Sequence, residues 1–197
     1  AVSFSHSQLC SGEFAGGLIL LKSSRLLLRA LEPSDLNSTY LKWLNDPIVN
    51  CYLETRFLPQ TLEALKSYWQ AHSNDPSSPL FDICLASERR HIGNIKLSPI
   101  QCLHRRRDLN VFIGEHGCWV QGYASEPIAL VYDWAFRELD LQKLNDSIYS
   151  NNLGSRSAFE KCGFELQGTL RQEVVSAGQK LDVWRLCMPR SLWNPSP

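Results

Sequence analysis

Short runs of apolar and β-branched residues, separated by turn signals, predict seven strands along the chain. They are expected at residues 25–30, 80–86, 91–97, 108–113, 143–149, 166–175 and 180–188. The second and third strands are predicted to form a hairpin, and the last two form another that turns at residues 176–179. Gly93 lies inside one of these strands, which indicates a bulge or the close approach of a neighbouring backbone.

Two later segments have clear helical signals. The segment 125–138 carries apolar residues at the spacing of one helix face, namely Ile128, Val131, Tyr132 and Ala135. The segment 152–162 has Asn152 at its start, where a side-chain oxygen can cap a helix, and Gly163 just beyond its end. Both segments are therefore predicted to be helices.

The N-terminal third of the chain is less regular. Residues 1–20 are rich in serine and glycine and have no clear period, so we expect an N-terminal arm ahead of a single domain at 21–197. A helix is expected to begin at Ser34 or Asp35, and another after a cap at Thr61.

The composition narrows the class of protein. Apolar residues make up 44% and charged residues 20% of the 197 positions, which is usual for one soluble globular domain. The formal net charge is zero, which argues against binding to nucleic acid or to an acidic membrane surface. The seven cysteines are scattered and form no C-x-x-C pair, so we expect reduced thiols, no metal site and a cytoplasmic protein.

A strand, a turn and a helix between residues 108 and 138 form a candidate anion site. The first N–H groups of a helix have no partner within it, and the helix dipole is positive there, so such a terminus attracts anions. Gly122 in the preceding turn has no Cβ and lets a phosphate approach the backbone. An ordinary turn glycine is the alternative, because the dinucleotide and P-loop glycine patterns are both absent.

Two motifs at this spacing resemble the GNAT superfamily of acetyl-CoA-dependent N-acyltransferases. Residues 119–124 resemble its pyrophosphate-cradling motif, [RQ]-x-x-G-x-[GA], and residues 152–164 resemble N-x-x-S-x-x-A-[FY]-E-K-x-G-F. The first motif departs from the pattern at Trp119. That departure is familiar from the branch that includes ribosomal-protein N-terminal, spermidine and amino-sugar acetyltransferases. The resemblance covers roughly residues 25–193.

The resemblance implies an α+β fold with three α/β layers. Its central sheet is expected to be mixed, mostly antiparallel and of about seven strands, with about four flanking helices. The fourth and fifth strands, 108–113 and 143–149, are expected to be parallel and to splay apart, which admits the pantetheine arm of acetyl-CoA. The resemblance implies the following cofactor-binding residues: Phe112, Ile113, Gly114, Val120, Gln121, Gly122, Tyr123, Ala124, Asn152 and Ser155.

Acetyl transfer to an amine requires a base, because a protonated amine has no lone pair to attack the thioester. It also benefits from a donor at the developing oxyanion, and a backbone N–H near Ile113 is the candidate. Asp108 is the candidate base, acting through water, because its position matches a carboxylate often seen there in the resembled branch. The alternative is that Asp108 pairs with Arg106 or Arg107.

The leaving thiolate raises a separate question. Many members of the resembled family protonate it with a tyrosine at the position where this chain has Phe159, which has no proton to give. Two alternatives stay open. A thiol pKa of ~8.5 makes the thiolate a tolerable leaving group without an acid, or the hydroxyl of Ser155 donates or relays the proton.

Two further groups of residues are weaker candidates. The resemblance implies that residues 48–57 line the acceptor pocket, which makes Tyr52, Glu54 and Arg56 pocket candidates; an ordinary amphipathic turn is the alternative. The basic residues 105–107 either attract an acidic substrate or a cofactor phosphate, or lie on a solvated loop.

Two functions of different class follow from these patterns. The first is transfer of an acetyl group from acetyl-CoA to a primary amine of a small molecule, an amino sugar or a peptide N-terminus, by direct attack in a ternary complex. The second is a non-catalytic acyl-CoA-binding sensor or degenerate subunit, which Phe159 favours. In either case we expect no metal, no nucleic acid and no membrane partner, and a monomer or homodimer.

Overall fold

The computed structural model describes residues 20–73, 75, 78–99 and 103–194. Except for Leu20, the predicted arm at 1–20 lies outside these residues. The described strands are β1 (Leu21–Lys22), β2 (Leu26–Ala30), β3 (Leu80–Leu85), β4 (His91–Leu97), β5 (Arg106–Ile113), β6 (Lys143–Tyr149), β7 (Glu165–Ser176) and β8 (Gln179–Pro189). The described α-helices are α1 (Ser38–Asn45), α2 (Leu62–Ser73), α3 (Ser125–Glu138) and α4 (Leu153–Lys161).

The described strands form one sheet in the order β1-β2-β3-β4-β5-β6-β8-β7. Neighbouring strands are antiparallel except for β5 and β6, which are parallel. The predicted α+β fold with a mixed, mostly antiparallel sheet is confirmed. The sheet has eight strands instead of about seven, because β1 is only two residues long and too short to show a periodic pattern.

The helices cover both faces of this sheet. The larger hydrophobic core contains the buried residues of α3 and α4, and the smaller core contains those of α1 and α2. Consecutive residues of β3 enter different cores, with Phe81 in the larger and Leu80 against the smaller. Since side chains alternate across a strand, the two cores lie on opposite faces and the protein has three layers. Among the described residues, no helix combines the length and the apolar character needed to cross a bilayer.

The first helix begins later than its sequence indicated. Asn37 caps it by accepting hydrogen bonds from the N–H groups of Thr39 at 2.9 Å and Tyr40 at 3.1 Å. The predicted start at Ser34 or Asp35 is wrong, because those residues lie in a separate 3-10 turn (Pro33–Asp35). The predicted cap at Thr61 is confirmed, since its hydroxyl accepts from a backbone N–H of α2 at 3.1 Å.

The side chain of Asp35 accepts the N–H of Glu32 at 2.8 Å within the 3-10 turn and also joins a buried polar network. Arg29 donates to both carboxylate oxygens of Asp35 at 2.7 Å, and it lies 3.0 Å from Asp82. Asp82 accepts a hydrogen bond from Asn94 at 2.8 Å and lies 3.4 Å from His91. The network therefore ties β2, β3 and β4 to the segment that leads into α1.

The two carboxyl groups of this network differ in charge. Burial and the adjacent Asp35 raise the pKa of Asp82 to about 9. Burial also acts to raise the pKa of Asp35, but hydrogen bonds from Arg29 and other donors outweigh it and lower that pKa to about 2. At pH 7 Asp35 is therefore the ionised partner of Arg29, and Asp82 is protonated.

We expect Asp35→Asn to destabilise the protein far more than Asp82→Asn at pH 7. Removing the ionised partner of a buried pair costs about 3–5 kcal/mol, whereas Asp82→Asn replaces a neutral group by a neutral group of similar shape. Urea unfolding of both variants measures the difference, and equal losses would contradict the assignment of charge.

The pH dependence provides a second check. A carboxyl whose folded pKa is raised favours folding at low pH and loses that contribution as the pH rises through the folded value. The wild type should therefore lose stability relative to Asp82→Asn as the pH rises towards 9. A stability difference that does not change between pH 6 and pH 9 would count against a protonated Asp82.

Candidate functional site

The parallel pairing of β5 and β6 stops partway along both strands. It covers only three rungs, from Arg106↔Lys143 to Asp108↔Asn145. Beyond that point β5 stays paired with β4 up to Ile113, and β6 stays paired with β8 up to Tyr149. The two strands therefore diverge and leave a gap between them, so the predicted splay is confirmed.

The register of β5 decides which backbone groups face this gap. Ser98 donates to the carbonyl of Asp108 at 2.8 Å, and Gly114 donates to the carbonyl of Ile92 at 2.9 Å. Hydrogen-bonded and non-hydrogen-bonded pairs alternate along an antiparallel ladder, so even-numbered residues of β5 direct their backbone groups towards β4. The odd-numbered residues, Leu109, Val111 and Ile113, direct theirs towards the gap.

This register changes the predicted list of cofactor contacts. The backbone groups of Phe112 and Gly114 point to β4, so these two expected contacts do not fit the geometry. The N–H of Ile113 faces the gap as expected, while its carbonyl accepts a hydrogen bond from the Trp119 indole at 2.9 Å. Val111, which the sequence analysis did not select, presents both its N–H and its carbonyl. The close approach predicted at Gly93 is confirmed, because a Cβ there would lie 2.1 Å from the Phe112 carbonyl.

The turn ahead of α3 has the properties of an anion cradle. Val120 and Gly122 both adopt left-handed backbone conformations, with φ of 59° and 83°. No side chain caps the helix, and none of the N–H groups of residues 121–125 donates to an acceptor among the described residues. A β-branched residue in this conformation is strained by about 1–2 kcal/mol, and such strain is typical of functional turns.

Arg25, the residue just before β2, holds this turn in place. Its guanidinium donates to the carbonyl of Gln121 at 3.0 Å and to the carboxylate of Glu126 at 2.8 Å, and it lies 4.7 Å from the centre of the Tyr123 ring. A cavity of about 300 Å³ opens beside it, lined by residues that include Gly122, Ser125 and Lys161. Arg25 is not among the residues predicted from sequence, since nothing in the local sequence relates it to a turn almost a hundred residues away.

Both predicted ends of α4 are confirmed. The side-chain oxygen of Asn152 accepts the N–H of Ser155 at 3.1 Å. Gly163 has φ of 85°, and the N–H of Phe164 donates to the carbonyl of Phe159 at 3.1 Å, which closes the helix end. The oxygen of Asn152 is therefore used in capping, and the half-buried Ser155 lies in the first turn of the helix.

Phe159 is fully buried, and its ring packs edge-on against Phe164 with 4.9 Å between the ring centres. It is therefore a core residue that offers no proton at this position of the fold.

The candidate base lies where the gap begins. Asp108 is in the last paired rung, and its carboxylate receives two hydrogen bonds from Arg185 of β8, at 2.6 and 3.1 Å. The alternative given for Asp108 was an ion pair with Arg106 or Arg107, but the partner is Arg185 of β8, which no local sequence signal indicates. Asn145, opposite Asp108 in the rung, is 3.4 Å from the same carboxylate.

The basic residues before Asp108 do not form a solvated loop. Arg106 and Arg107 belong to β5, and the side chain of Arg107 is buried. Arg105 precedes the strand and pairs with Asp140 at 2.5 Å. Strand formation explains the difference, since alternate side chains of β5 must point into the protein.

The candidates for the acceptor pocket meet at the end of β6. The hydroxyl of Tyr149 donates to the carboxylate of Glu54 and accepts a hydrogen bond from Arg56 at 3.2 Å. The ring of Tyr52 packs edge-on against Tyr149, with 6.1 Å between the ring centres. Burial and the hydrogen bond to Glu54 raise the pKa of Tyr149. Tyr149 was not among the residues predicted for the pocket, because only the fold brings it next to residues 52–56. Its place at the end of a strand predicted to splay could have indicated it.

Among the described residues, one cluster has side chains of the types that bind metals. It consists of Asp35, Asp82 and His91, whose candidate ligand atoms lie within 4.8 Å of one another. Arg29 already binds both carboxyl groups and supplies the positive charge. This arrangement therefore fits an ion-pair network better than a cation site.

Known proteins share both the sequence pattern and this architecture. The chain is 27% identical to the spermidine N(1)-acetyltransferase of Vibrio cholerae over 170 residues, which cover 86% of this chain and 95% of that protein. It is also 27% identical to the uncharacterized N-acetyltransferase YoaA of Bacillus subtilis over 176 residues, with coverages of 87% and 98%. The crystal structure of the Vibrio cholerae spermidine N-acetyltransferase in complex with CoA and spermine has a TM-score of 0.77 at 26% identity, and covers 86% of this chain and 98% of that one.

A family model described as an acetyltransferase (GNAT) domain matches residues 25–165, which is most of the chain. The match includes both the cradle turn and α4, the two motifs on which the resemblance was based. Together with the splayed sheet, it confirms that resemblance. The chain belongs to the GNAT family and is an N-acetyltransferase.

Proposed function

We propose that this protein transfers the acetyl group of acetyl-CoA to a primary amine of a small, positively charged molecule, by direct attack in a ternary complex. The observation that carries the proposal is the gap between β5 and β6, which opens beside a helix start whose N–H groups have no acceptor among the described residues. The unpaired backbone groups of β5 suit a partner with amide groups, and the open helix start suits an anion such as a diphosphate. Acetyl-CoA has both.

The residues around the gap fit the two ends of this co-substrate. The N–H groups of residues 121–125 and the positive charges of Arg25 and Lys161 suit the diphosphate. The N–H of Ile113 and the carbonyl of Val111, which lie nearest the cradle, suit the pantetheine amides, which can pair with β5 like an additional strand. The N–H of Val111 lies deeper in the gap and is the candidate donor to the oxyanion, in place of the N–H of Ile113 that the sequence suggested.

The acceptor side favours a cationic amine. Glu54 carries a carboxylate whose side chain is 74% exposed, beside the ring of Tyr149 and 3.7 Å from the mostly buried Arg56, so its outer side is open to an incoming cation. A carboxylate and tyrosine rings attract ammonium groups by charge and by cation–π contact. Two proteins similar to this one are spermidine N-acetyltransferases, so polyamines are the first acceptors to test. Amino sugars and peptides with a free N-terminus are the other acceptors to compare with them.

Asp108 is the proposed base and acts through a water molecule. Its pairing with Arg185 fixes the carboxylate at the closed end of the gap, where it can accept a proton from an amine that has entered beside β6. Ser155 stays a candidate for contact with the cofactor and for donating or relaying a proton to the thiolate. It lies in the first turn of α4, where its N–H donates to the capping oxygen of Asn152.

An acceptor screen tests the proposed reaction. We expect coenzyme A thiol to be released from acetyl-CoA faster with spermidine or spermine than with glucosamine or a short peptide, as measured with a thiol-reactive dye. Binding of coenzyme A without turnover on any amine would favour a non-catalytic acyl-CoA sensor instead.

Gly122→Val should abolish coenzyme A binding, because a branched side chain would occupy the approach to the cradle. A Cβ there already lies 3.4 Å from Arg25, and the backbone has φ of 83°. Gly178→Val is the matched control, since Gly178 has φ of 76° in the distant β7–β8 turn and is similarly strained. Calorimetry should show a loss of at least about 100-fold in affinity for Gly122→Val only; equal affinities would remove the cradle from the proposal.

Asp108→Asn should lower the rate of acetyl transfer, and most strongly at low pH where more of the amine is protonated. Loss of a general base typically costs about 10²–10⁴-fold. The control is Asp140→Asn, which removes the carboxylate of a second aspartate–arginine pair, one that is more exposed. Rates measured from pH 6 to pH 9 decide the matter, and an unchanged profile would exclude Asp108 as the base.

A further inference from the structure

A buried carboxyl group that is not among the predicted site residues lies in the gap between β5 and β6. Asp146 follows directly after Asn145, the last residue of β6 that pairs with β5. Its backbone pairs with Leu186 of β8, but its side chain reaches the other way. The Oδ1 atom accepts a hydrogen bond at 2.9 Å from the side-chain amide of Asn110, which belongs to β5. This hydrogen bond thus crosses the gap at the point where the two strands separate.

Asp146 faces the same side of the sheet as α4. Its neighbours at alternate positions, Leu144 and Ile148, belong to the same hydrophobic core as Phe159, and alternate residues of a strand share a face. Asp146 is 5% exposed, whereas Asn110 is exposed. The carboxyl group is therefore buried at the closed end of a gap that solvent reaches through Asn110.

The surroundings of Asp146 favour its protonated form. Burial is the main cause that raises the pKa of Asp146 to about 8. Hydrogen bonds from the Ser147 N–H and Asn110 oppose the shift, as does Arg185 from β8, while the negative charge of Asp108 from β5 adds to it. At neutral pH most of the molecules therefore hold a proton here, and its pKa is close to the ~8.5 of a thiol.

We propose that Asp146 is the catalytic acid that protonates the departing thiolate, in place of the phenol that Phe159 lacks, and that Asn110 is the positioning residue that holds its carboxyl group in the gap. This inference rests on the proposed acetyl transfer from acetyl-CoA. Two other titratable groups of the described residues lie at the gap, and both are engaged: Asp108 pairs with Arg185, and the hydroxyl of Tyr149 is bonded to Glu54 and Arg56 at the mouth.

The proton and electron balance of the step is simple. The lone pair of the neutral amine forms the C–N bond with the acetyl carbonyl carbon, and the C–S bond breaks with its electrons going to sulfur. Sulfur takes the proton from Asp146, which becomes a carboxylate. The acylated nitrogen releases one proton through water to Asp108 or solvent, and Asp146 regains a proton from the same pool. The products are an amide and the thiol of coenzyme A, with no external oxidant or reductant.

Asp146→Asn tests the proposal, because asparagine preserves the shape and an oxygen acceptor for Asn110 but has no acidic proton. We expect kcat to fall by about 10²-fold or more, with the dissociation constant of coenzyme A within about twofold of wild type. Asp82→Asn is the matched control, because it also replaces a buried carboxyl group of raised pKa. Asp82 lies in β3, away from the gap, so this variant should keep kcat within about twofold of wild type.

The pH profile separates a chemical role from a structural one. A required acid gives a wild-type kcat that falls as the pH rises through about 8, and this alkaline limb should be absent in Asp146→Asn. A wild-type rate that climbs through that range and does not fall, or an alkaline limb kept in the variant, would overturn the assignment.

Asn110→Ala provides a second variant at an exposed position, in case Asp146→Asn does not fold. Its hydrogen bond lowers the pKa of Asp146, so its loss should move the alkaline limb to higher pH and reduce kcat by less than Asp146→Asn does. An unmoved limb with wild-type kcat would refute the positioning role. If the wild type itself releases no thiol with any amine, the proposed function fails; if it does and Asp146→Asn matches its rate, only this inference fails.

Discussion

The site depends on the point at which β5 and β6 stop pairing. Each strand keeps its other neighbour, β4 on one side and β8 on the other, so the sheet remains intact while one seam opens. Backbone groups that face such a seam need a partner, and the register of β5 puts the N–H groups of Val111 and Ile113 there. The open part of β5 therefore offers unpaired backbone groups next to the start of α3.

The cradle turn is the second constraint, and it is maintained by contacts from far along the chain. Val120 is held in a conformation that β-branched residues rarely adopt, while Arg25 binds the turn at Gln121 and at Glu126. A strained turn persists only when its surroundings hold it. The ion pair with Glu126 also keeps the guanidinium of Arg25 beside the N–H groups of the turn, so the residue before β2 both supports the turn and adds positive charge.

Buried ionisable groups occur in two places with different consequences. Around Arg29 the charges are matched, and the network joins β2, β3 and β4 to the segment before α1. In the gap, Asp146 is buried without a cation at hydrogen-bond distance among the described residues, and its pKa rises to about 8. The first arrangement stabilises the fold, whereas the second holds a proton where acyl transfer to an amine can use one.

Local sequence by itself determined the elements whose signals lie within one turn or one helix. The face of α3, the cap at Asn152 and the left-handed Gly163 follow from spacing and from backbone conformation, which depend on neighbours only a few residues away. The motif resemblance added the splay between the two parallel strands. The predicted start of α1 was wrong because Asp35, a residue type that often caps helices, is hydrogen-bonded to Arg29 from β2, and Asn37 caps the helix instead.

Only the tertiary structure decided which distant side chains meet. The pairs Arg25–Glu126, Asp108–Arg185 and Asn110–Asp146 each join elements that are remote in sequence. Their formation depends on strand order and register, and a shift of one residue along a strand would send each side chain to the opposite face. No local pattern contains that information. The sequence therefore indicated the cradle and the gap, but not the long-range partners, such as Arg25 and Arg185, that hold them and bring charge to them.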